Sequence, residues 1–558
     1  MLTSNMVSKL KRSGAAQMVV VALGLLLGAC GGRVDDGGTA EDGETLDMEA
    51  PTEEGWVGFF RPRKSKIDFQ PCEGDPALEC GALKVPLDYK DQGCKSTEIW
   101  VARLPSTRKD GPKHGVLVLG PGGPGGSGID SLSAMRPFFD AGPLRENFDI
   151  VSFDPRGVGR SNAVRCEVDM PQRPANPNDD VAVAAYFDEF GRRTAEACFA
   201  QNGVVARHMS TNNVARDVDV LRKALSEDEI TFFGSSYGTQ IGAIYANFFP
   251  KRVRAMVLDG ALAPTFVDSL TERARDTASA AEQALVRLDQ ACRADAGCLL
   301  RGPGVIATLE RVAARLDAAP VAVGGGQAPM TGDDVRFMAM GLLFSESVRW
   351  PLLVVALATA SFGDDSILLS LLPLARTSDV YVSGRKAYLD AFTAVTCSDY
   401  GTRRDAADYL ELARANAGAS PHFGGLFFSV VHSAAFAAAQ CSAWPEADVP
   451  RIEKVRGRVK TPVLIVGNDF DNATPIAWSQ SLGKALGMED HVLRYGGGGH
   501  TAYAVGVNCV DSAVNDYLIT RKLPSSGSVC DAQALSFSFK AQNTADRLAD
   551  LGNITSLP

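Results

Sequence analysis

The run Ile230-Thr-Phe-Phe233 is short, apolar and rich in β-branched and aromatic residues. It ends at Gly234-Ser235-Ser236-Tyr237-Gly238, beyond which Gln240–Phe249 has helical spacing. A strand that turns into a helix within five residues needs a tight, strained corner. Glycines on either side permit one that lifts a serine hydroxyl above the sheet. Only Ser236 has a glycine two residues away in both directions, so the spacing selects it over Ser235.

The rest of the chain extends this unit into a sheet. Gly81–Tyr89 and Thr97–Leu104 form an expected opening pair of strands. Gly115–Gly120, Phe148–Asp154 and Ala255–Gly260 are continuous apolar runs closed by Gly or Asp, as strands buried on both faces of a parallel sheet are. Helical spacing between them, as in Asn213–Leu225, predicts a doubly wound α/β architecture. From about 265 to 445 the pattern becomes Ala- and Leu-rich with charges at helical spacing (Leu270–Cys292, Val305–Leu316, Asp333–Phe344, Pro351–Ser361, Ala406–Ala415). Strand character returns at Pro462–Gly467 and His491–Tyr495. The expected fold is the α/β-hydrolase fold, a mostly parallel doubly wound sheet with a large helical cap inserted. Core segments fall at 58–264 and 446–537, with the cap at 265–445 and a tail at 538–558.

A serine hydroxyl is a weak nucleophile until a base takes its proton, so an imidazole and an orienting carboxylate should follow. In this fold they come in the order Ser, Asp or Glu, His. Of six histidines (His114, His208, His422, His432, His491, His500), only His500 sits in a Gly-rich loop after a late apolar strand. The loop after Pro462–Gly467 offers Asp469 and Asp471, and local chemistry does not separate them. Gly120-Pro-Gly-Gly-Pro-Gly-Gly-Ser-Gly128 follows the Val116–Leu119 strand and is suited to aiming a backbone N–H at developing negative charge. Gly123 N–H, with the N–H of Tyr237 after the nucleophile, would form an oxyanion hole. A nucleotide phosphate loop is the competing reading of those glycines, but it would need a lysine that is absent and donors that prolines remove. No metal or organic cofactor is called for, and no doubled C-x-x-C spacing occurs.

The N-terminus carries Lys9, Lys11 and Arg12, then the apolar core Met18–Leu27, then Leu27-Gly28-Ala29-Cys30. That is an export signal ending in a stretch that resembles a bacterial lipobox. It implies a signal at 1–29, with cleavage before Cys30 and a lipid on its thiol. Residues 30–57 are Gly-rich and acidic, with too little apolar surface to fold, and suit a tether. Most of the net charge of −10 lies in that tether, leaving a mildly acidic body that argues against a nucleic-acid partner. The expected location is the cell envelope, lipid-anchored and facing water.

Taken together these stretches resemble the tripeptidyl aminopeptidase and proline iminopeptidase group of α/β-hydrolases, especially its secreted bacterial branch. The resemblance rests on Val85-Pro-Leu-Asp-Tyr89, Gly120–Gly128, Asp154-Pro-Arg-Gly-Val-Gly-Arg-Ser161, Gly234–Thr239 and Leu258-Asp-Gly260. It continues through Trp350-Pro351, Cys397-Ser-Asp399, Asp471-Asn-Ala-Thr-Pro475 and Gly499-His500. It implies that Asp471, four residues before the Pro of D-x-x-T-P, is the acid. Pro121-Gly-Gly-Pro, where proline iminopeptidases carry His-Gly-Gly-Pro, favours the tripeptidyl branch. With chain order, the resemblance also implies disulfides Cys72–Cys80, Cys166–Cys198, Cys292–Cys298, Cys397–Cys441 and Cys509–Cys530, leaving Cys94 over. The implied activity is release of short peptides from free N-termini; a non-peptide ester, lactone or amide is the alternative. An exopeptidase must meet the substrate's ammonium with a carboxylate. The cap offers Asp399 first and Glu346 second.

Overall fold

The computed structural model describes residues 66–537 apart from 91–94, 111–112, 170, 173–178, 266–268, 325–326, 376–384, 401–404, 409, 412–417, 419, 425–440, 446–454 and 456–458. The signal and tether, Cys30, Cys94, half of Ala406–Ala415 and the tail lie outside the described residues.

Ten strands make one sheet in the order β1-β2-β3-β5-β4-β6-β7-β8-β9-β10. They are β1 (Gln70–Cys72), β2 (Asp75–Pro86), β3 (Ser96–Leu104), β4 (Val116–Gly120), β5 (Asp149–Phe153), β6 (Ile230–Ser235), β7 (Val253–Asp259), β8 (Val463–Phe470), β9 (Val492–Gly498) and β10 (Val529–Cys530). β1, β2 and β3 pair antiparallel, as does β3 with β5; from β5 onward every pairing is parallel. β4 lies between β5 and β6, so the chain reverses its direction of travel across the sheet there, and α/β folds place their sites at such a point. The register sets Gly120 beside Gly234. The glycine loop and the serine corner therefore leave the sheet side by side.

Helices α1 (Gly128–Ala141), α2 (Asp180–Asn202), α3 (Thr211–Ala224) and α4 (Tyr237–Phe248) belong to the first half of the core. Then come α5 (Ser269–Ala294), α6 (Val305–Ala318), α7 (Gly332–Leu342), α8 (Arg349–Ser361), α9 (Ser366–Ala375) and α10 (Arg385–Asp399), followed by α11 (Ile476–Leu486) and α12 (Asn508–Thr520). Side chains alternate across the strands. Phe232, Leu258 and Ile465 pack with α3, α4 and α11 on one face, while Phe233, Val257 and Val466 pack with α1 and α12 on the other.

The insertion divides by packing. Residues of α5 to α9 form a core of their own around Leu285, Leu309, Trp350 and Leu357. Ala391, Ala394, Val395 and Cys397 of α10, with Tyr400, Cys441 and Trp444, instead join the apolar core of the sheet. The expected single cap at 265–445 thus has a separate bundle followed by a helix that packs as part of the main body. The sequence pattern is helical throughout, and only long-range contact separates the two parts.

The described cysteines pair as Cys72–Cys80, Cys166–Cys198, Cys292–Cys298, Cys397–Cys441 and Cys509–Cys530. Cys509–Cys530 ties α12 to β10, whose two residues pair with Arg494 and Tyr495 of β9. Among the described residues no helix is long and apolar enough to cross a membrane.

Candidate active site

Ser236 occupies the corner between β6 and α4 with φ 54° and ψ −122°, a conformation L-residues rarely adopt. The flanking glycines are what make it possible. A Cβ at Gly234 would stand 2.3 Å from the Gly238 carbonyl oxygen, and one at Gly238 would stand 2.3 Å from that of Gly120. The Ser236 N–H donates to the Asp259 carbonyl at 2.9 Å, which pins the corner to the end of β7.

Asp471 and His500 come together. His500 Nδ1 lies 3.0 and 3.1 Å from the two Asp471 carboxylate oxygens. Asp471 is buried and also accepts the N–H groups of Ala473 and Thr474, both at 2.8 Å, and the Thr474 hydroxyl at 2.8 Å. Burial works against its charge, but His500 and these donors outweigh it and hold the carboxyl below its usual range. Burial likewise disfavours the imidazolium, yet the charge and hydrogen bond of Asp471 hold His500 above the ordinary histidine range. Asp469, the other candidate, turns outward to pair with Arg494 at 2.9 Å. A register irregularity between Asn468 and Phe470 in the β8–β9 pairing accompanies that divergence.

The histidine loop is held from several sides. Asn468 Nδ2 donates to the carbonyls of Gly499 and Thr501, both at 2.8 Å, and the His500 N–H donates to the Phe344 carbonyl at 2.8 Å. The buried Asp259 carboxylate accepts the N–H groups of Ala502 and Tyr503 at about 3 Å. Burial pushes Asp259 up to about 7 even though those two donors favour its charge. The positioning roles of Asp259, Asn468 and Thr474 are not apparent in the sequence: Leu258-Asp-Gly260 and D-x-x-T-P stand out there only as motifs. Among the described residues no hydrogen bond joins the Ser236 hydroxyl to His500; such contacts commonly tighten only when substrate is bound.

Across from the histidine, a Cβ at Gly122 would be 3.8 Å from Ser236 Cβ, and Gly123 follows with φ 113°. Tyr237 is the first residue of α4, so its N–H has no acceptor within the helix and is available to a ligand. Asp154 secures the glycine loop. It accepts the Ser127 hydroxyl at 2.6 Å and the N–H groups of Ile129 and Arg160. Arg156 is buried, clamps Asp217 through two hydrogen bonds and reaches the carbonyls of Pro86, Leu87 and His208.

The two carboxylates expected to meet an ammonium part company. Asp399 is buried against the core, where it accepts the Thr211 N–H at 2.7 Å, the Thr211 hydroxyl and Gln240 Nε2 at 3.0 Å. The helix that carries it, α10, packs on the apolar core of the sheet. Glu346 pairs with Arg287 at 2.7 Å and, with Phe344, Ser345, Tyr495 and His500, lines a cavity of about 220 Å³. A Cβ at Gly498 would lie 2.6 Å from Glu346 Oε1, so glycine there lets the cap approach the histidine loop.

A serine at a strained strand-to-helix corner, a His–Asp pair on the following strands and a glycine loop beside them define a serine hydrolase of the α/β-hydrolase fold. Residues 115–290 match the model of the alpha/beta hydrolase fold family, and residues 428–530 match that of the TAP-like protein family. The chain is 29% identical to the serine protease Hip1 of Mycobacterium tuberculosis over 494 residues, covering 83% of this chain and 91% of that protein. It is 27% identical to the tripeptidyl aminopeptidase of Streptomyces lividans, covering 86% and 89%. With carboxylesterase B of Mycobacterium tuberculosis it shares 31% identity, covering 81% and 86%. The chain belongs to the TAP-like group of α/β-hydrolases.

Proposed function

We propose that this enzyme is an exported serine exopeptidase that releases short, tripeptide-type peptides from free N-termini, tethered to a membrane by lipid on Cys30. The observation that carries the reading is the position of Glu346, a carboxylate of the insertion lining the cavity beside His500. Its hydrogen bond with Arg287 leaves further acceptor sites on the carboxylate for a substrate ammonium. Relatives named tripeptidyl aminopeptidase and serine protease support a peptide substrate. The five disulfides among the described residues and the N-terminal signal support export.

In this reading His500 Nε2 takes the Ser236 proton as Oγ attacks the scissile carbonyl, while Asp471 holds the imidazole's tautomer and balances its charge. The N–H groups of Gly123 and Tyr237 receive the developing oxyanion. The tetrahedral intermediate collapses to an acyl-enzyme on Ser236, and His500 gives its proton to the departing amine. Water, deprotonated by His500, then attacks the acyl carbon, and His500 returns a proton to Ser236 as the peptide's new carboxyl end leaves. The relative named carboxylesterase B favours a second reading, a non-peptide ester. Comparing hydrolysis of free and N-blocked chromogenic tripeptides with that of a simple p-nitrophenyl ester separates the two. Preference for the free amine is expected; equal rates on free and blocked peptides, or ester cleavage alone, would overturn the exopeptidase.

A further inference from the structure

Helix α10 touches both arms of the proposed oxyanion hole. Towards its N-terminal end its backbone lies on the glycine loop. A Cβ at Gly125 would stand 2.4 Å from the Tyr388 carbonyl oxygen and 3.2 Å from the Phe392 nitrogen, and one at Gly123 would stand 3.4 Å from the Tyr388 ring. At its C-terminal end Asp399 reaches the first turn of α4. The Thr211 hydroxyl donates to the Asp399 carboxylate and lies 2.7 Å from the Tyr237 hydroxyl, while Gln240 of α4 donates to the same carboxylate at 3.0 Å. A threonine hydroxyl has one hydrogen. Since Thr211 gives it to Asp399, Tyr237 must be the donor in the other bond, and the relay runs Tyr237 to Thr211 to Asp399 in one direction.

The helix is also anchored to the main body. Asp390 Oδ2 accepts the Cys166 N–H at 2.9 Å, Cys397 is bridged to Cys441, and Ala391, Ala394 and Val395 are buried in the sheet's core. Thr211 and Gln240 are themselves buried, so the charge-assisted bonds to Asp399 are shielded from competing water.

We infer that α10 is the fixed back wall of the catalytic site, and that Asp399 is a positioning residue which holds the Tyr237 N–H in line with the reacting carbonyl. The inference rests on the proposed roles of Gly123 and Tyr237. It assigns Asp399 to the transition state of every substrate rather than to recognition of an N-terminus.

The test compares Asp399→Asn, Thr211→Val and Tyr237→Phe with wild type. Asn at 399 turns an amide donor toward Gln240 or Thr211, Val removes the middle of the relay, and Phe removes only its far end. Each folded variant should hydrolyse a p-nitrophenyl ester with kcat reduced roughly 10- to 100-fold and KM unchanged, less than the full loss of an oxyanion donor. Affinity for a trifluoromethyl ketone, whose serine adduct carries an oxyanion, should fall by a similar factor, while affinity for the carboxylate product stays constant. Tyr237→Phe keeps the ring and decides the matter if Asp399→Asn does not fold. Unchanged kcat, or equal loss of ketone and product affinity, overturns the inference. Failure of a fluorophosphonate to label Ser236 in wild type would instead overturn the underlying site.

Discussion

The backbone N–H of Ser236 donates to the carbonyl of Asp259, while the carboxylate of Asp259 holds the two N–H groups that follow Thr501. One residue at the end of β7 thus fixes the nucleophile's corner with its main chain and the base's loop with its side chain. Asp259 is pushed up to about 7 from an ordinary 3.8. A raised carboxyl contributes stability that is fully present below about pH 4 and is lost as pH rises through about 7. Asp259→Asn has no such titration. The melting-temperature advantage of wild type over this variant should therefore be largest at about pH 4 and below, and should shrink steadily as pH rises to about 8. An advantage that grows toward pH 8 would contradict the assignment.

Ser236→Ala should abolish turnover, leaving only the small residual rate that binding and the oxyanion donors supply, with an unchanged circular dichroism spectrum. A fluorophosphonate should label Ser236 in wild type. Peptide mapping that finds the adduct on Ser235 or Ser127 would refute the site.

Asp471→Asn should lower kcat by roughly 10⁴-fold, because the imidazole loses its orienting acceptor and its counter-charge. Asp469→Asn, at a carboxylate that pairs with Arg494, should leave kcat unchanged. The neutral imidazole is the active form and His500 is held above the ordinary histidine range. The acid limb of kcat/KM in wild type should accordingly lie above the free histidine value of about 6.5. A limb below that value would argue against the Asp471 pairing.

Glu346→Gln should raise KM for free-amine peptides and leave ester hydrolysis nearly unaffected, since only the former presents a cation to this carboxylate. Steady-state kinetics on both substrates reads the split. Equal loss on the two would make the Glu346–Arg287 pair a purely structural contact.

Replacing Cys509 and Cys530 together by Ser should cost about 3 kcal/mol, the chain-entropy value for a loop of this length, measured by denaturant unfolding. β10 has only two residues on the sheet edge, so its pairing with β9 should be among the first to fray.

Local rules carried much of the architecture. Buried strands announce themselves by unbroken apolar runs, so β4 to β9 and the Ser236 corner were legible, as was His500, the only histidine in a glycine loop. The resemblance, rather than local chemistry, separated Asp471 from Asp469. In the structure, the course of the chain after Asn468 sends one inward and the other to Arg494. β1 and β10 were missed because two or three residues carry no periodicity. The hydrogen-bond partners of Asp399, Thr211 and Gln240, are 188 and 159 residues away and are not visible from the sequence of the insertion. Long-range partners of this kind leave no local trace.

The separate core of α5 to α9 has a consequence for how such an enzyme can diversify. The chain leaves the main body after β7, builds a bundle whose apolar residues mostly face one another, and then lays α10 back into the body. Between Ser269 and Ala375 helices can be lengthened, replaced or reshaped by drift without displacing the groups that perform the chemistry. The connection at Phe344–Glu346, which touches the histidine loop, and Met340, whose carbonyl accepts Asn472 Nδ2 beside Asp471, are under both constraints. Selection on what enters the site and selection on how it reacts can therefore act on largely different stretches of one gene.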